Sequence, residues 1–183
     1  EMLTDIGDDF IDVLILDDSG SPIDDTVVLG DIVREPINLI YDVFDGLVDS
    51  FEAAGYQENT DLFVFPYDWR LDINTSSQSL KQKIDLVLNQ TGNQTVDIIA
   101  HSMGGLLTKQ YILYNNSANI NKIIFVGTPH LGTPKVAKTL LFGDSLGVEF
   151  FVPFLSSQRI KIISQNMLSI YQLFPSQEYF NQL

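Results

Sequence analysis

The 183-residue sequence has no cysteine, so neither a disulfide framework nor a thiolate metal site can be built from it. Positive charge is scarce: 10 lysines and arginines stand against 24 acids, a formal net charge of −14. That balance argues against nucleic acid as a partner and against electrostatic docking on anionic lipid. No apolar run reaches the length of a bilayer crossing. Internal repeats and low-complexity tracts are missing as well. What is present, at 45% hydrophobic content, suffices for one sizeable globular core.

The charge is unevenly spread. Between Glu1 and Asp61 lie 17 of the 24 acids, with Arg34 the one basic residue among them. Asp5, Asp8, Asp9, Asp12, Asp17, Asp18, Asp24 and Asp25 form the densest run. Calcium ligands could be drawn from it, but a D-x-[DN]-x-[DN]-G loop with a closing glutamate is not there, so it reads as a solvated acidic face. No cofactor and no metal is expected. Four N-x-[ST] sequons, at Asn74, Asn89, Asn93 and Asn115, matter only in a host that glycosylates secreted proteins.

Chemistry gathers between Thr95 and Asn115. Val96, Ile98 and Ile99 predict a short buried strand, and Leu106, Leu107, Gln110, Tyr111 and Tyr114 predict a helix. Between them lies Ala100-His101-Ser102-Met103-Gly104-Gly105, a G-x-S-x-G elbow with alanine in the first glycine slot. So tight a turn demands small residues two before and two after the serine. It strains the serine backbone and pushes Oγ above the helix N-terminus. There the first N–H groups and the helix dipole favour developing negative charge. Ser102 is the candidate nucleophile, and the Met103 N–H the candidate oxyanion donor. The alternative is a serine that only caps a helix. His101 is expected to point away from the hydroxyl, packing and hydrogen bonding beside the turn. A triad histidine normally arrives from elsewhere in the chain.

The flanking chain alternates. Val13–Leu16 is a short strand candidate and Val27–Leu29 a weaker one. Pro36 suits the first turn of a helix, and Ile37, Ile40, Tyr41, Phe44, Leu47, Val48 and Phe51 carry it over 36–54 until Gly55. Asp61–Phe65 predicts a buried strand ending at Pro66, with Tyr67-Asp68-Trp69-Arg70 at its carboxyl end, where open α/β sheets place functional loops. A second helix carries Leu80, Ile84, Val87 and Leu88 on one face and Lys81, Lys83 and Asp85 on the other. Ile120–Val126 is a third strand, followed by Gly127–Pro134. This order predicts an α/β fold with a parallel sheet and right-handed crossovers over residues 1–134. Residues 135–183 change character: Leu140, Leu141, Phe142, Leu146, Phe150, Phe151, Phe154 and their neighbours form a greasy stretch broken by Gly143, Gly147 and Pro153. It reads as a cap or lid able to cover the serine or touch lipid, or else as helices packed on the sheet edge.

Three motifs in order, Phe65-Pro66-Tyr67-Asp68-Trp69-Arg70, Ala100–Gly105 and Gly127-Thr128-Pro129-His130-Leu131-Gly132-Thr133-Pro134, resemble the lecithin:cholesterol acyltransferase-like family. That family includes phospholipid:diacylglycerol acyltransferases and lysosomal-type phospholipases A2. The resemblance runs over residues 40–183, and Ser169–Pro175 is similar to the family's cap. It implies a partial α/β-hydrolase fold and serine-dependent acyl transfer on lipid or phospholipid esters, by an O-acyltransferase or a phospholipase. It also implies membrane-surface contact through the cap and an extracytoplasmic or membrane-associated setting. Another serine esterase and a non-catalytic binding module are the alternatives.

In the family the triad runs serine, acid, histidine, the last two beyond the cap, and an oxyanion loop follows an early strand. After Ser102 this sequence offers one histidine, His130, 28 residues on, and the acids Asp144, Glu149 and Glu178. Nothing in residues 1–35 resembles the oxyanion loop. The expectation is an internal piece of a longer protein, with triad acid and base past Leu183; His130 as the base is the alternative. Alone, such a piece should expose apolar surface. In the Tyr67–Arg70 motif we expect Trp69 packed under the loop and an Asp68–Arg70 charge-assisted bond fixing it, rather than direct substrate contact.

Overall fold

The computed structural model describes residues 12–23, 27, 29–31, 44–144 and 156–182. In chain order these form α1 (Asp45–Ala53), α2 (Ile73–Thr91), β1 (Val96–His101), α3 (Met103–Asn115), β2 (Ile120–Val126), α4 (Lys135–Phe142), α5 (Ser157–Gln165), α6 (Leu168–Gln172) and α7 (Gln177–Asn181). The class is α/β. Strands β1 and β2 pair in parallel, Ile98 beside Ile123 and His101 beside Val126, with α3 as the crossover.

Local chemistry sets the helix ends. The Asp72 carboxylate accepts the Thr75 N–H at 3.1 Å and starts α2. Gly92, at φ 71°, ends it and donates its N–H to Leu88. Gly55, at φ 100°, closes the turn after α1. On its buried face α2 sets Ile73, Leu80 and Ile84 against Leu107 and Tyr111 of α3, and Val96 and Ile98 of β1 pack on the same cluster. Outside, Lys81 and Asp85 pair at 2.5 Å, an exposed contact that adds little to stability. A second cluster joins distant parts of the chain: Leu16, Val136, Ile163, Met167 and Ile170, with Leu71 and Leu140 against it.

Several expectations change. Val13–Leu16 forms a turn, not a strand; it ends in an isolated bridge between Leu16 and Pro22, and Leu16 is fully buried among helices. Its apolar run serves packing rather than a ladder. Val28 lies outside the described residues, and neighbours Val27 and Leu29 form no strand. Asp61–Phe65 is likewise not a strand: one bridge links Glu58 to Leu62, and no described neighbour completes a ladder. The helix expected over 36–54 is described from Asp45 onward; residues 36–43 lie outside the described residues.

β1 and β2 are less buried than expected. Ile99, Ile124, Phe125 and Val126 remain exposed, because α2 and α3 cover one face of the pair while the other has no full cover among the described residues. Parallel sheets ordinarily bury both faces. Among the described residues this face is therefore an exposed apolar surface.

In the last quarter, most of the greasy stretch (145–155) lies outside the described residues. The helices on either side of it, α4 and α5, pack on each other, and with α6 they close over the Leu16 turn rather than over β2.

Candidate active site

The residue between β1 and α3 is Ser102. Its backbone stands at φ 51°, ψ −127°, while its N–H continues the strand pairing by donating to Val126 O at 2.8 Å. Three non-glycine residues among those described have positive φ; the other two are asparagines, Asn59 and Asn116, a type that tolerates it. A serine held there costs on the order of 1–3 kcal/mol, and the strand behind and helix ahead impose it. Ser102 does not cap α3 with its side chain, and its Oγ has no hydrogen-bond partner among the described residues. Its carbonyl accepts the Gly105 N–H at 3.0 Å, a tight first turn. Met103 opens α3, so its N–H is one of those a helix start leaves unpaired.

The need for small residues falls differently from the expectation. Ala100 is buried, as a tight turn requires. At Gly104 a methyl group would meet only the Tyr67 ring, 3.7 Å from its hydroxyl oxygen, an ordinary contact. At Gly105 it would overlap the Thr128 hydroxyl and lie 2.8 Å from Thr128 Cβ. The close approach is thus three residues past the serine, where the turn after β2 presses on α3. Thr128 Oγ1 is buried there without a hydrogen-bond partner among the described residues. The two adjacent glycines were the only sequence signal of this contact.

Tyr67 arrives from the loop before α2, its ring stacked on Phe65 and lying over Gly104. Burial pushes its phenol up to about 12, so the hydroxyl stays protonated at neutral pH. His101 projects to the opposite sheet face and packs edge-on against Phe44 at 5.6 Å. The expected packing is there, but its side chain makes no hydrogen bond among the described residues. His130 is exposed and sits edge-on to Phe125 at 4.9 Å, with no hydrogen bond to Ser102. Glu178 lies in α7 and accepts from Asn181 and Gln182; Glu149 is outside the described residues. The described residues therefore bring Ser102, Met103, Tyr67 and Thr128 together; His130 follows Thr128 in the same turn but makes no hydrogen bond to Ser102, and neither does Glu178.

The Asp68–Arg70 bond is present and stronger than expected. Arg70 donates Nε–H and Nη2–H to the two Asp68 oxygens at 2.9 and 2.6 Å, and Nη1–H to the carbonyls of Leu14 and Val13 at 3.1 and 3.3 Å. It is only 2% exposed. Burial raises the Asp68 carboxyl, but its bonds and charge contact with Arg70 outweigh that and hold it below the usual carboxylate range. Trp69 corrects the expectation: it is 53% exposed, because Arg70 takes the interior position beside it. Ser169 Oγ donates to Arg70 O at 3.3 Å, and Gln172 accepts the Ile73 N–H and donates to Asp72. The same C-terminal segment meets the Gly127–Pro134 turn: Thr133 N–H donates to Leu173 O and Ser176 N–H to Leu131 O, both at 2.8 Å. The three sequence motifs and Ser169–Pro175 are thus neighbours in space.

Comparison with known proteins follows this geometry. The model of the lecithin:cholesterol acyltransferase family matches residues 35–182. Phospholipase A(1) LCAT3 of Arabidopsis thaliana is 28% identical over 144 residues, 74% of this chain and 32% of that protein. Phosphatidylcholine-sterol acyltransferase of Mus musculus is 27% identical over 142 residues, covering 73% and 32%. Among solved structures, the mature Bacillus licheniformis lipase BlEst2 overlaps 61% of this chain and 40% of its own, with a TM-score of 0.42 and 17% identity. The chain spans about a third of the length of these two curated relatives.

Proposed function

The chain belongs to the lecithin:cholesterol acyltransferase family, and we propose that Ser102 is its nucleophile for acyl transfer on lipid esters. Oγ attacks the ester carbonyl carbon while its proton passes to a general base. The tetrahedral oxyanion receives the Met103 N–H at the start of α3, where the helix dipole adds to the bond. Collapse expels the alcohol, which takes the proton back, and leaves an acyl-serine. Water then completes hydrolysis, or a lipid hydroxyl completes acyl transfer. In this reading the base, its acid and the second oxyanion donor come from outside the described residues, since none of these places a histidine on Ser102. Residues 135–183 act as the cap; an open groove of about 480 Å³ between α4 and α5 is lined by Leu141, Phe142 and Ile162 together with Ser157, Gln158, Lys161 and Gln165, a mixed surface.

One observation carries the reading: a serine in glycine-like backbone geometry at a strand-to-helix turn, its hydroxyl uncommitted to capping. Fluorophosphonate labelling of the longest expressed form, mapped by peptide mass spectrometry with Ser102→Ala as control, tests it. Labelling at Ser102 is expected. A folded protein that takes no label would leave the turn as architecture and make the chain a binding module.

A further inference from the structure

We propose that Trp69 is an interfacial anchor, an indole held outward on the loop that carries Tyr67, to enter a zwitterionic lipid surface. The inference rests on the acyl-transfer reading for the identity of the surface, but its own support is separate. An exposed tryptophan on a loose loop would mean little. Here both neighbours are fixed. Asp68 accepts the Arg70 backbone N–H at 3.0 Å as well as both guanidinium bonds, and Arg70 is buried and tied to residues 13 and 14 and to Ser169. The loop is therefore ordered around a side chain that stays 53% exposed. Indole is the side chain best suited to a lipid–water boundary, apolar in its body with one N–H to hydrate.

Position and charge narrow the occupant. Trp69 is two residues from Tyr67, whose ring lies over Gly104, itself two residues past Ser102. The loop that exposes the indole therefore also lays Tyr67 over the serine turn. A net charge of −14 opposes an anionic surface, and Arg70, the nearest cation in sequence, is consumed internally by Asp68. Phosphatidylcholine-type surfaces, neutral overall, fit both facts.

The chain supplies its own probe, since Trp69 is the one tryptophan in the 183 residues. Emission of the full chain is recorded with phosphatidylcholine vesicles, and vesicle partitioning is measured by sedimentation. The expected result is a blue shift on phosphatidylcholine, weaker when anionic phosphatidylglycerol is mixed in. Partitioning should fall about tenfold in Trp69→Ala, the equivalent of ~1.4 kcal/mol of apolar contact. Unshifted emission on phosphatidylcholine, or a shift that needs anionic lipid, overturns the proposal; both are read on the unmutated chain, so misfolding of the variant cannot mask them. Fluorophosphonate labelling of the unmutated protein separates the two readings. A blue shift in a folded protein whose Ser102 takes no label leaves the anchor standing and removes the enzyme.

Discussion

Two junctions organise this molecule, and they are built in opposite ways. The serine turn is local: β1, α3 and the end of β2 lie within about 30 residues, and its central feature is a backbone held in a costly conformation. The Arg70 junction is long-range, joining residues 13 and 14, 68 to 73 and 169 to 172, and its central feature is a buried charge with a partner on each guanidinium nitrogen. The first concentrates strain where chemistry is proposed. The second holds the loops that frame it. Breaking the second should therefore cost far more stability than relaxing the first.

Arg70→Met tests the larger side. It would leave the Asp68 carboxylate half-buried without its cation and strip two carbonyls of a donor. Removing one partner of such a pair costs about 3–5 kcal/mol, so the variant should lose most of its cooperative unfolding transition in calorimetry or urea. A loss below ~1 kcal/mol would mean that the bonds are solvent-compensated and the junction is not a keystone. The pH response has a defined sign. The folded Asp68 carboxyl lies below its unfolded value, so its contribution is complete above the usual carboxylate pKa and drains away as pH falls through the folded one. The parent chain should lose stability on acidification below about pH 4, and Arg70→Met should show less of that acid-dependent loss.

A paired substitution then examines the turn itself. Gly105→Ala forces a methyl group into Thr128, and overpacking of this kind costs about 1–3 kcal/mol. Gly104→Ala has room against Tyr67 and replaces a helical glycine, so it should be neutral or stabilising by up to ~1 kcal/mol. Thermal melts of the two variants should bracket the parent. If both destabilise equally, the close approach of Thr128 to α3 is wrong.

These two junctions also differ in how much of them the sequence disclosed. The β1–α3–β2 unit was legible: a β-branched run, a small-residue turn and a 3.6-residue stripe each prescribe local geometry, and β2 has the predicted bounds. The position of Ser102 between strand and helix was legible for the same reason. Val13–Leu16 was misread, since an apolar run states that a segment is buried but not whether it ladders or packs. Trp69 was misread because Arg70 and Trp69 compete for one interior position, and the carbonyls of residues 13 and 14 that decide for Arg70 are more than 50 residues away. Likewise the Asp68–Arg70 pair was legible at two residues' separation, while its tie to Ser169 was not. Spacing reveals contacts within an element and its turns. Contacts between elements depend on topology.

The smallest expected effect discriminates best between a serine kept for chemistry and one kept for structure. In Ser102→Gly the backbone at φ 51°, ψ −127° becomes unstrained, recovering part of the roughly 1–3 kcal/mol that an L-residue stores there. The extra freedom of glycine in the unfolded chain returns about 0.4–1 kcal/mol in the other direction. No capping bond is lost, because Ser102 makes none. The net gain should be about 1 kcal/mol, or roughly 2–4 °C in the melting temperature for a chain of this size. Ser102→Ala retains Cβ and hence the strain, so it should melt close to the parent while losing the same hydroxyl. A stabilised glycine variant beside an unchanged alanine variant would mean that the parent tolerates strain for the position of Oγ alone. If glycine destabilises instead, the hydroxyl holds the turn together, and the contrast between a strained turn and an ordered junction fails.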